Sequence, residues 1–244
     1  MDDGVKDHHD TPLAMAAAKG QVGAMSKLLE YGADVNAVSE DWGPIINCAI
    51  YSGNKDAVAL LVNNKAILSV SKMSGEAQSF NIPPPLSLAA LCSDLEMFDF
   101  LLTRCHDDLS TQDYETAFEW ASRAGNTDVM ERLILLPEFE AEDHVFQPDL
   151  DAAVEAEEWD SVEFLAKNEI SRERANFDEA VIALVEDIDD NLGTLEVIGD
   201  NATAHLTKEK VNEALYIATD KEKAKLASLL LTKFEADANA TGPE

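Results

Sequence analysis

The sequence predicts an all-α fold, a solenoid of about seven helix-turn-helix units joined by short finger loops. Three observations predict it. Apolar residues recur in triads at nearly regular intervals, an alanine precedes most triads by eight or nine residues, and glycines mark the predicted helix ends in the first units. A period of about 20–50 residues is typical of repeat architectures, in which each unit buries its apolar face only against its neighbours.

The first unit, TPLAMAAAKGQVGAMSKLLEYGADVN, shows how such a helix pair is specified. Thr11 can cap a helix, and Pro12 fits the first turn, where no N–H bond is lost. Gly20 and Gly32 can end the two helices in the left-handed conformation. Asp and Asn residues then suit a tight turn in an extended finger.

The apolar triads recur along the whole chain. They are Met25/Leu28/Leu29, Val58/Leu61/Val62, Phe98/Leu101/Leu102, Met130/Leu133/Ile134, Val162/Leu165/Ala166, Leu195/Ile198 and Leu226/Leu229/Leu230. Their first residues lie 33, 40, 32, 32, 33 and 31 positions apart. The preceding alanines are Ala17, Ala49, Ala90, Ala121, Ala153 and Ala218. In the sixth unit Ala183 lies twelve positions ahead of the triad, which indicates an insertion around EDIDDN.

These features resemble the ankyrin repeat, whose signature is close to T-P-L-x-x-A-A, then G, then L-L-x-x-G-A-D-V-N. The first unit matches throughout, and PPLSLAALCSDLEMFDFLL and LLLTKFEADANA match well. The stretch WGPIINCAIYSGNKDAVALL resembles a variant that is frequent in fungal ankyrin proteins. We therefore expect a polar N-terminal tail over residues 1–9, a single ankyrin-repeat array over residues 10–240, and a C-terminal end over residues 241–244.

Two parts of the predicted array are irregular. Residues 71–84, SKMSGEAQSFNIPP, form an insertion that is typical of an exposed loop. The repeats over about residues 150–200 are degenerate and lack the glycine punctuation. The chain ends just after a finger-like stretch, so either the seventh unit is the cap or the array continues in a longer protein.

The charge of the chain limits the classes of partner. With 48 acidic and 18 basic residues, the formal net charge is −30. Such a chain repels phosphate backbones and anionic membranes, so we expect neither nucleic acid nor a membrane as partner. A basic protein is the partner that electrostatics would attract. The alternative is that the charge only keeps the protein soluble.

The cysteines and the N-terminal residues indicate the compartment. Three cysteines without regular spacing argue against a disulfide framework and for a reducing environment. The first ten residues have no apolar core of a secretory signal, and no apolar run approaches the ~18 residues of a membrane span. We expect a cytoplasmic protein, with the nucleus as the alternative.

Motifs for catalysis or metal binding are absent from the sequence, and we expect no cofactor and no metal. Cys105 and His106, with two aspartates after them, form the most compact Cys/His/Asp group, but adjacent residues on a turn rarely face each other as a catalytic pair does. The stretch DIDDNLGTLEVI begins like a calcium loop. Leu192 and Ile198 replace its essential Gly and Glu, so an acidic helix connection is predicted.

The ankyrin resemblance also implies where a partner would bind. In such arrays the fingers and inner helices line a concave face, and the two residues after each alanine project into the groove. Those pairs are Ala18/Lys19, Ile50/Tyr51, Leu91/Cys92, Ser122/Arg123, Val154/Glu155, Leu184/Val185 and Thr219/Asp220. Tyr and Arg are residue types that dominate interface energetics. The partner-binding candidates are Glu40, Asp41, Trp42, Tyr51, Arg123 and Glu155.

Two tryptophans have a second interpretation. Trp42 is predicted on the finger before the second unit, where an aromatic residue serves finger packing as well as it serves binding. Trp120 replaces the first alanine of an Ala pair, so it is predicted to fill a repacked core.

The predicted function is a non-catalytic protein–protein interaction scaffold, with the oligomeric state left open. One alternative is an enzyme or small-molecule-binding protein on the same scaffold, with a pocket near the irregular repeats. Its acid and base groups would be Arg123, His106, His144, Tyr51, Tyr114 and the carboxylates. Another alternative is a regulatory ankyrin segment of a larger receptor.

Overall fold

The computed structural model of the protein describes residues 11–39, 42–69, 72, 82–92, 94–139, 144–187 and 191–242. Most of these residues lie in pairs of helices. The chain divides into two units, Met1–Trp120 and Ala121–Glu244.

The first unit contains three complete helix pairs. They are α1 (Pro12–Ala18) with α2 (Val22–Glu30), α3 (Ile45–Tyr51) with α4 (Lys55–Asn63), and α5 (Pro85–Leu91) with α6 (Leu95–Cys105). The finger before α3 contains two short antiparallel strands, β1 (Val38–Ser39) and β2 (Gly43–Pro44), which pair Ser39 with Gly43. A 3₁₀ turn, His106–Asp108, follows α6. Helix α7 (Thr111–Arg123) begins in this unit and ends in the second.

The second unit begins within α7 and continues with α8 (Thr127–Ile134), the other helix of that pair. Three further pairs follow, and the helices of this unit are α9 (Gln147–Glu155), α10 (Trp159–Lys167), the short α11 (Glu169–Arg172), α12 (Asp178–Glu186), α13 (Leu192–Asn201), α14 (Lys208–Asp220) and α15 (Ala224–Thr232). The 3₁₀ turns are Pro137–Phe139 and Thr203–His205.

Each unit has two layers of helices. In the first unit, α1 packs on α3 and α3 on α5, while α2 packs on α4 and α4 on α6. In the second, α9 packs on α12 and α12 on α14, while α8, α10, α13 and α15 pack in sequence. The described residues thus form seven helix pairs and one two-stranded sheet. The predicted all-α class is confirmed.

The helix-start and turn predictions for the first repeat are correct. The side chain of Thr11 accepts a hydrogen bond from the Ala14 N–H at 3.2 Å, and Pro12 is the first helical residue. In the finger, the N–H of Asn36 donates to the Asp34 carboxylate at 2.9 Å. The local signals in the sequence therefore predict the helix start and the turn of this repeat correctly.

The predicted core is largely observed. At least one residue of every triad is buried, and Ala17, Ala49, Ala90, Ala121, Ala153 and Ala218 are all fully buried. The sixth repeat differs, because Ala183 is only half-buried, whereas Leu184 and Val185 are fully buried. Larger side chains therefore take the alanine position in α12. The prediction for Trp120 is also wrong, since that residue is half-buried and does not belong to the core.

A left-handed residue separates the two helices in five of the pairs. These residues are Gly20, Gly53, Gly125, Glu157 and Glu222, with φ of +60°, +66°, +70°, +58° and +58°. They lie 33, 72, 32 and 65 positions apart, which is one or two repeat lengths each. Glycine adopts this conformation readily, whereas a residue with a Cβ pays a steric cost. The degenerate repeat that contains Glu157 therefore keeps the left-handed turn although it has no glycine there.

Buried aspartates in the first turns of α7, α9 and α12 are each held by donors. Asp113 accepts from the hydroxyls of Ser69 and Ser110, both at 2.6 Å. The Nε2 atom of His144 lies 2.7 Å from the carboxylate of Asp149. A buried carboxylate is tolerated only when it is hydrogen-bonded in this way.

The third buried aspartate, Asp178, joins two repeats. Thr207, which caps α14, donates to the carboxylate through its N–H and its hydroxyl, each at 2.8 Å. Asp178 is only 6% exposed, so water cannot replace these bonds.

The predicted domain boundaries stay predictions. The tail over residues 1–9 and nearly all of the 71–84 insertion lie outside the described residues; only Lys72 and residues 82–84 are described. The degenerate repeats over 150–200 do form helix pairs, with α11 as an extra helix between them.

We predict that Asp178→Ala lowers the free energy of unfolding by roughly 3–4 kcal/mol, because the three hydrogen bonds that its carboxylate accepts, two from Thr207 and one from the Asn176 amide, are lost at about 1–1.5 kcal/mol each. Urea denaturation followed by circular dichroism measures the change. The control is Glu196→Ala, an exposed helical position expected to shift stability by no more than about 0.5 kcal/mol. Equal effects of the two substitutions would contradict the argument.

We also predict that Glu157→Gly stabilises the protein by about 1 kcal/mol, because glycine relieves the left-handed strain. The same replacement inside a helix, Glu196→Gly, is expected to cost up to about 1 kcal/mol. Thermal unfolding of the two variants should therefore move in opposite directions, and a loss of stability in Glu157→Gly would refute the prediction.

Candidate functional site

Trp42 and Tyr51 form an aromatic pair in the first unit. Trp42 lies in the turn between β1 and β2, where its N–H donates to the Ser39 hydroxyl at 3.1 Å. Tyr51 is the last residue of α3 and is 47% exposed. The ring centroids lie 4.8 Å apart with an interplanar angle of 74°, an edge-to-face geometry. The structure thus brings together two candidates, and Trp42 both packs on Tyr51 and remains half-exposed.

The surroundings of Tyr51 favour its neutral form. Partial burial raises the pKa of the Tyr51 phenol, and the nearby Cys92 thiol raises it further. The pKa of Cys92 is itself raised, first by burial and then by the Asp94 carboxylate. The phenol of Tyr51 therefore keeps its proton well beyond neutral pH.

Arg123 and Glu155 form the second group of candidates, in the second unit. Arg123 is the last residue of α7, and Glu155 is the last residue of α9. The Nη2 atom of Arg123 lies 3.5 Å from Oε2 of Glu155, with the two side chains 38% and 69% exposed. Such an exposed ion pair contributes about 0–1 kcal/mol to stability. The pairing of these two side chains therefore contributes little to the stability of the fold.

Tyr51, Arg123 and Glu155 occupy equivalent positions in their repeats, because each lies two residues before a left-handed residue: Gly53, Gly125 or Glu157. Ala18 and Asp220 have the same relation to Gly20 and Glu222.

The predicted groove residues need three corrections. Leu184 and Val185 are fully buried and cannot contact a partner, since they belong to the core of α12. Ile50 and Ser122 are likewise buried, because the first residue of each of those pairs faces the neighbouring helix. Cys92, a member of one of the predicted groove pairs, is exposed and raises the pKa of Tyr51, although the six partner-binding candidates do not include it. Glu40 and Asp41 lie outside the described residues.

The groups considered for catalysis are dispersed or unreactive. Burial, and to a smaller extent the Asp108 carboxylate, raise the pKa of Cys105 to about 11 against the opposing effect of Arg104. The sulfur is therefore a thiol at neutral pH and a poor nucleophile. His106 is exposed beside Asp107. Tyr114 and His144 are both buried, and His144 packs between the rings of Phe139 and Phe146.

The described clefts lie away from those groups. One, of about 410 Å³, is lined by Glu209, Asn212, Glu213, Asp237, Ala240, Thr241 and Gly242 of the last repeat. Another, of about 230 Å³, lies beside α1 and is almost wholly apolar. A third, of about 110 Å³, lies near Phe234. The five side chains named for the enzyme alternative do not line any of these three, whereas three carboxylates, Glu209, Glu213 and Asp237, line the first.

Asp187 holds the connection between α12 and α13. Its carboxylate accepts from the indole N–H of Trp159 at 3.1 Å and from the Asn191 amide at 2.6 Å. Its backbone carbonyl accepts from Lys223, and Lys221 donates to the Glu186 carbonyl at 2.7 Å. Asp187, the first residue of the calcium-like stretch, is thus used to join repeats. Over the described ranges, no group of three or more His, Cys, Asp or Glu side chains is arranged to hold a metal.

Comparison with known proteins bears on the first unit most directly. Residues 13–62 match the family model for "Ankyrin repeats (many copies)". The match covers α1 to α4 and includes the Trp42–Tyr51 pair. No curated protein matches the chain.

Solved ankyrin structures resemble the whole chain weakly. The human ASB11 ankyrin repeat domain is 17% identical, with a TM-score of 0.47, over 96% of this chain and 87% of that one. An ankyrin repeat domain from Acinetobacter baumannii AYE is 16% identical, with a TM-score of 0.47, over 93% of this chain and 98% of that one. Among the helices that the structure describes, none has the length and apolar character needed to cross a bilayer.

We predict that Tyr51 makes stability pH-dependent above pH 10. A phenol whose pKa is raised by folding stabilises the folded state fully below its unfolded pKa of about 10, and this contribution is lost as pH rises through the folded pKa. Tyr51→Phe removes that titration, so the free energy of unfolding of the variant should fall less between pH 10 and the folded pKa.

Tyr31→Phe is the matched control, because Tyr31 is 89% exposed and lacks the burial that drives the shift. Urea denaturation across this pH range, together with phenolate absorbance, measures both variants. Identical pH dependence in the two variants would show that the environment of Tyr51 does not favour the neutral phenol.

Proposed function

We propose that the protein is a non-catalytic scaffold that binds another protein through its fingers and the exposed ends of its first helices. The ankyrin resemblance implies that this surface is the concave face of the array. Ankyrin repeats generally mediate protein–protein interaction, and residues 13–62 match that family. The observation that carries the proposal is the Trp42–Tyr51 pair, two large aromatic side chains that pack together while Tyr51 stays 47% exposed and Trp42 is half-buried.

Aromatic side chains of this kind are frequent binding hot spots. They supply a large contact area, and a pair that is already ordered loses little conformational entropy when a partner binds. Glu40 and Asp41, which directly precede Trp42 in the sequence, stay partner-binding predictions and lie outside the described residues.

The second unit offers a charged counterpart in Arg123 and Glu155. Their ion pair is exposed, so either side chain can exchange its partner for a group on another protein at little cost in stability. Arginine is over-represented in interfaces because its planar guanidinium makes several directed hydrogen bonds.

We propose a basic protein as the partner, in the cytoplasm or the nucleus. The net charge of −30 would raise the encounter rate with such a partner in a salt-dependent way, and it disfavours nucleic acid and anionic membranes. The three free cysteines suit a reducing compartment. The regulatory segment of a larger receptor remains an alternative context for the same binding role.

Site-specific photo-crosslinking tests the proposal. A benzophenone amino acid in place of Tyr51 is expected to capture a partner from cell extract, whereas the same amino acid in place of Tyr31 is not. The captured protein is then purified. Its affinity should fall by about 1–4 kcal/mol for Tyr51→Ala or Arg123→Ala, the range of binding hot spots. Its association rate should fall as salt rises.

Stability measurements exclude an indirect effect, since Tyr51→Ala loses one aromatic contact, worth about 1 kcal/mol, and should leave the fold intact. Equal capture at positions 51 and 31, or unchanged affinity in both alanine variants, would refute the proposed surface. Association independent of salt would refute the basic partner alone.

A further inference from the structure

The first repeat leaves an apolar face uncovered. Six of its residues are exposed or half-buried, whereas the residues 33 positions later, in the second repeat, are at most 8% exposed. In the described part of the chain, α3 and α4 have a packed helix pair on both sides, while α1 and α2 have one on a single side. The first face consists of Pro12, Met15, Ala24, Leu28, Ala33 and Val35, and its counterparts are Ile45, Cys48, Ala57, Leu61, Ala66 and Leu68.

The first face has the composition of an interface. Terminal repeats of a solenoid need a polar outer face to stay in water, yet all six members of this face are apolar. Three of them line the apolar cleft of about 230 Å³ beside α1. Residues 1–10 offer only two apolar side chains, Met1 and Val5, among four aspartates, so they provide little apolar cover.

The last repeat exposes the opposite side of a helix pair. Counted from the left-handed residue, its last face consists of Tyr216, Thr219 and Ala227, which correspond to Ala14, Ala17 and Met25 of the first repeat. In the first repeat these positions are at most 1% exposed, because the second repeat packs on them. In the last repeat Gly242 packs against the Tyr216 ring, and the side chain still remains 51% exposed.

The last finger also keeps the residue that joins one finger to the next. In the first finger the amide of Asn36 accepts from the Ile67 N–H at 2.8 Å and donates to the Lys65 carbonyl at 3.4 Å. The N–H of Asn239 donates to the Asp237 carboxylate at 2.9 Å, the same local turn as in the first finger. The side chain of Asn239 is therefore placed to join a further finger.

The charge of the chain is low at both of these repeats. Residues 11–39 contain two basic and two acidic residues, and residues 207–242 contain six of each. The formal charge of −30 thus lies almost entirely outside the two terminal repeats. Two copies repel each other least when they meet through these repeats.

We infer that the last face of one copy packs on the first face of a second copy, head to tail. The two faces are the two sides of the interface that the chain already uses between neighbouring repeats, so the contact continues the stacking of one copy into the next. Asn239 of one copy then bonds the Asp34 N–H and the Gly32 carbonyl of the other, the groups 33 positions before Ile67 and Lys65.

Sedimentation velocity of the full chain over a wide concentration range tests this inference. A head-to-tail contact leaves one free face at each end of a dimer, so the mean mass should keep rising with concentration and not stop at two copies. Added salt should strengthen the association, because it screens the repulsion between two copies of charge −30.

Two complementary variants test the polarity of the contact. Met15→Glu places a charge on the first face, and Tyr216→Glu places one on the last face. Each variant alone should be monomeric where the natural chain associates. Their mixture should form a one-to-one dimer and nothing larger, because only one intact pair of faces remains. Ala24→Glu and Thr219→Glu, at exposed positions of the same two faces, repeat the test with the fold checked by circular dichroism.

Two further variants separate specific contacts from general effects. Asn239→Ala should weaken association by about 5-fold to 100-fold, because two hydrogen bonds between fingers are lost. Tyr31→Glu is the matched control, since Tyr31 and its counterpart Asn64 are both exposed and lie outside the first face. This variant should associate like the natural chain.

A natural chain that stays monomeric at every concentration would overturn the inference and leave a different protein as the occupant of the first face. Dimers of Tyr216→Glu alone, or of Met15→Glu alone, would replace the head-to-tail contact with one between identical faces. Weaker association at higher salt would make opposite charges its cause, and an equal loss in Tyr31→Glu would remove the role of the faces.

Discussion

One left-handed residue between the two helices of a pair determines where the other residues of that repeat lie. In the second repeat this residue is Gly53: buried Ala49 precedes it by one helical turn, and exposed Tyr51 lies directly before the turn. The residue after the turn links repeats, since Asn54 caps α4 and its amide donates to the carbonyl of Gly20 at 3.1 Å. The same backbone device therefore sets the core, the stacking and the exposed site.

The fold could be predicted from the sequence because its signals are local and repeated. Triads and alanines depend on helical periodicity, which each repeat shows by itself. The turn at Glu157 could not be predicted, because a glutamate in the left-handed conformation has no sequence signal; backbone hydrogen bonds hold it, from the N–H of Glu157 to the carbonyl of Val154 and from the N–H of Glu158 to that of Ala153. In α12, Leu184 and Val185 are fully buried where the repeat pattern predicted groove residues, a difference that the sequence of one repeat does not reveal. The resemblance of residues 42–61, in the second repeat, to fungal ankyrin variants stays a prediction.

The candidate site was only partly predictable for a related reason. Position within the repeat identified Tyr51, Arg123 and Glu155, and the structure confirms that they are equivalent and not buried. Contacts between different segments could not be predicted. The distance from Trp42 to Tyr51 depends on the finger geometry, and the use of Asp187 as a link between repeats depends on residues 28 and 36 positions away.

The degenerate repeats show what replaces the ankyrin-like signature when it is lost. In the degenerate repeats, side-chain hydrogen bonds join neighbouring repeats, as at Asp178 with Thr207 and at Asp187 with Trp159. These bonds are directional and buried, so they fix the stacking of helices whose apolar faces are less regular. The position two residues before the left-handed residue is not needed for this stacking. It carries an aromatic residue at Tyr51, a cation at Arg123 and an anion at Glu155, because its side chain is not part of the core. Stability therefore constrains this position little, and its chemistry can vary from repeat to repeat, as the recognition of a specific partner requires.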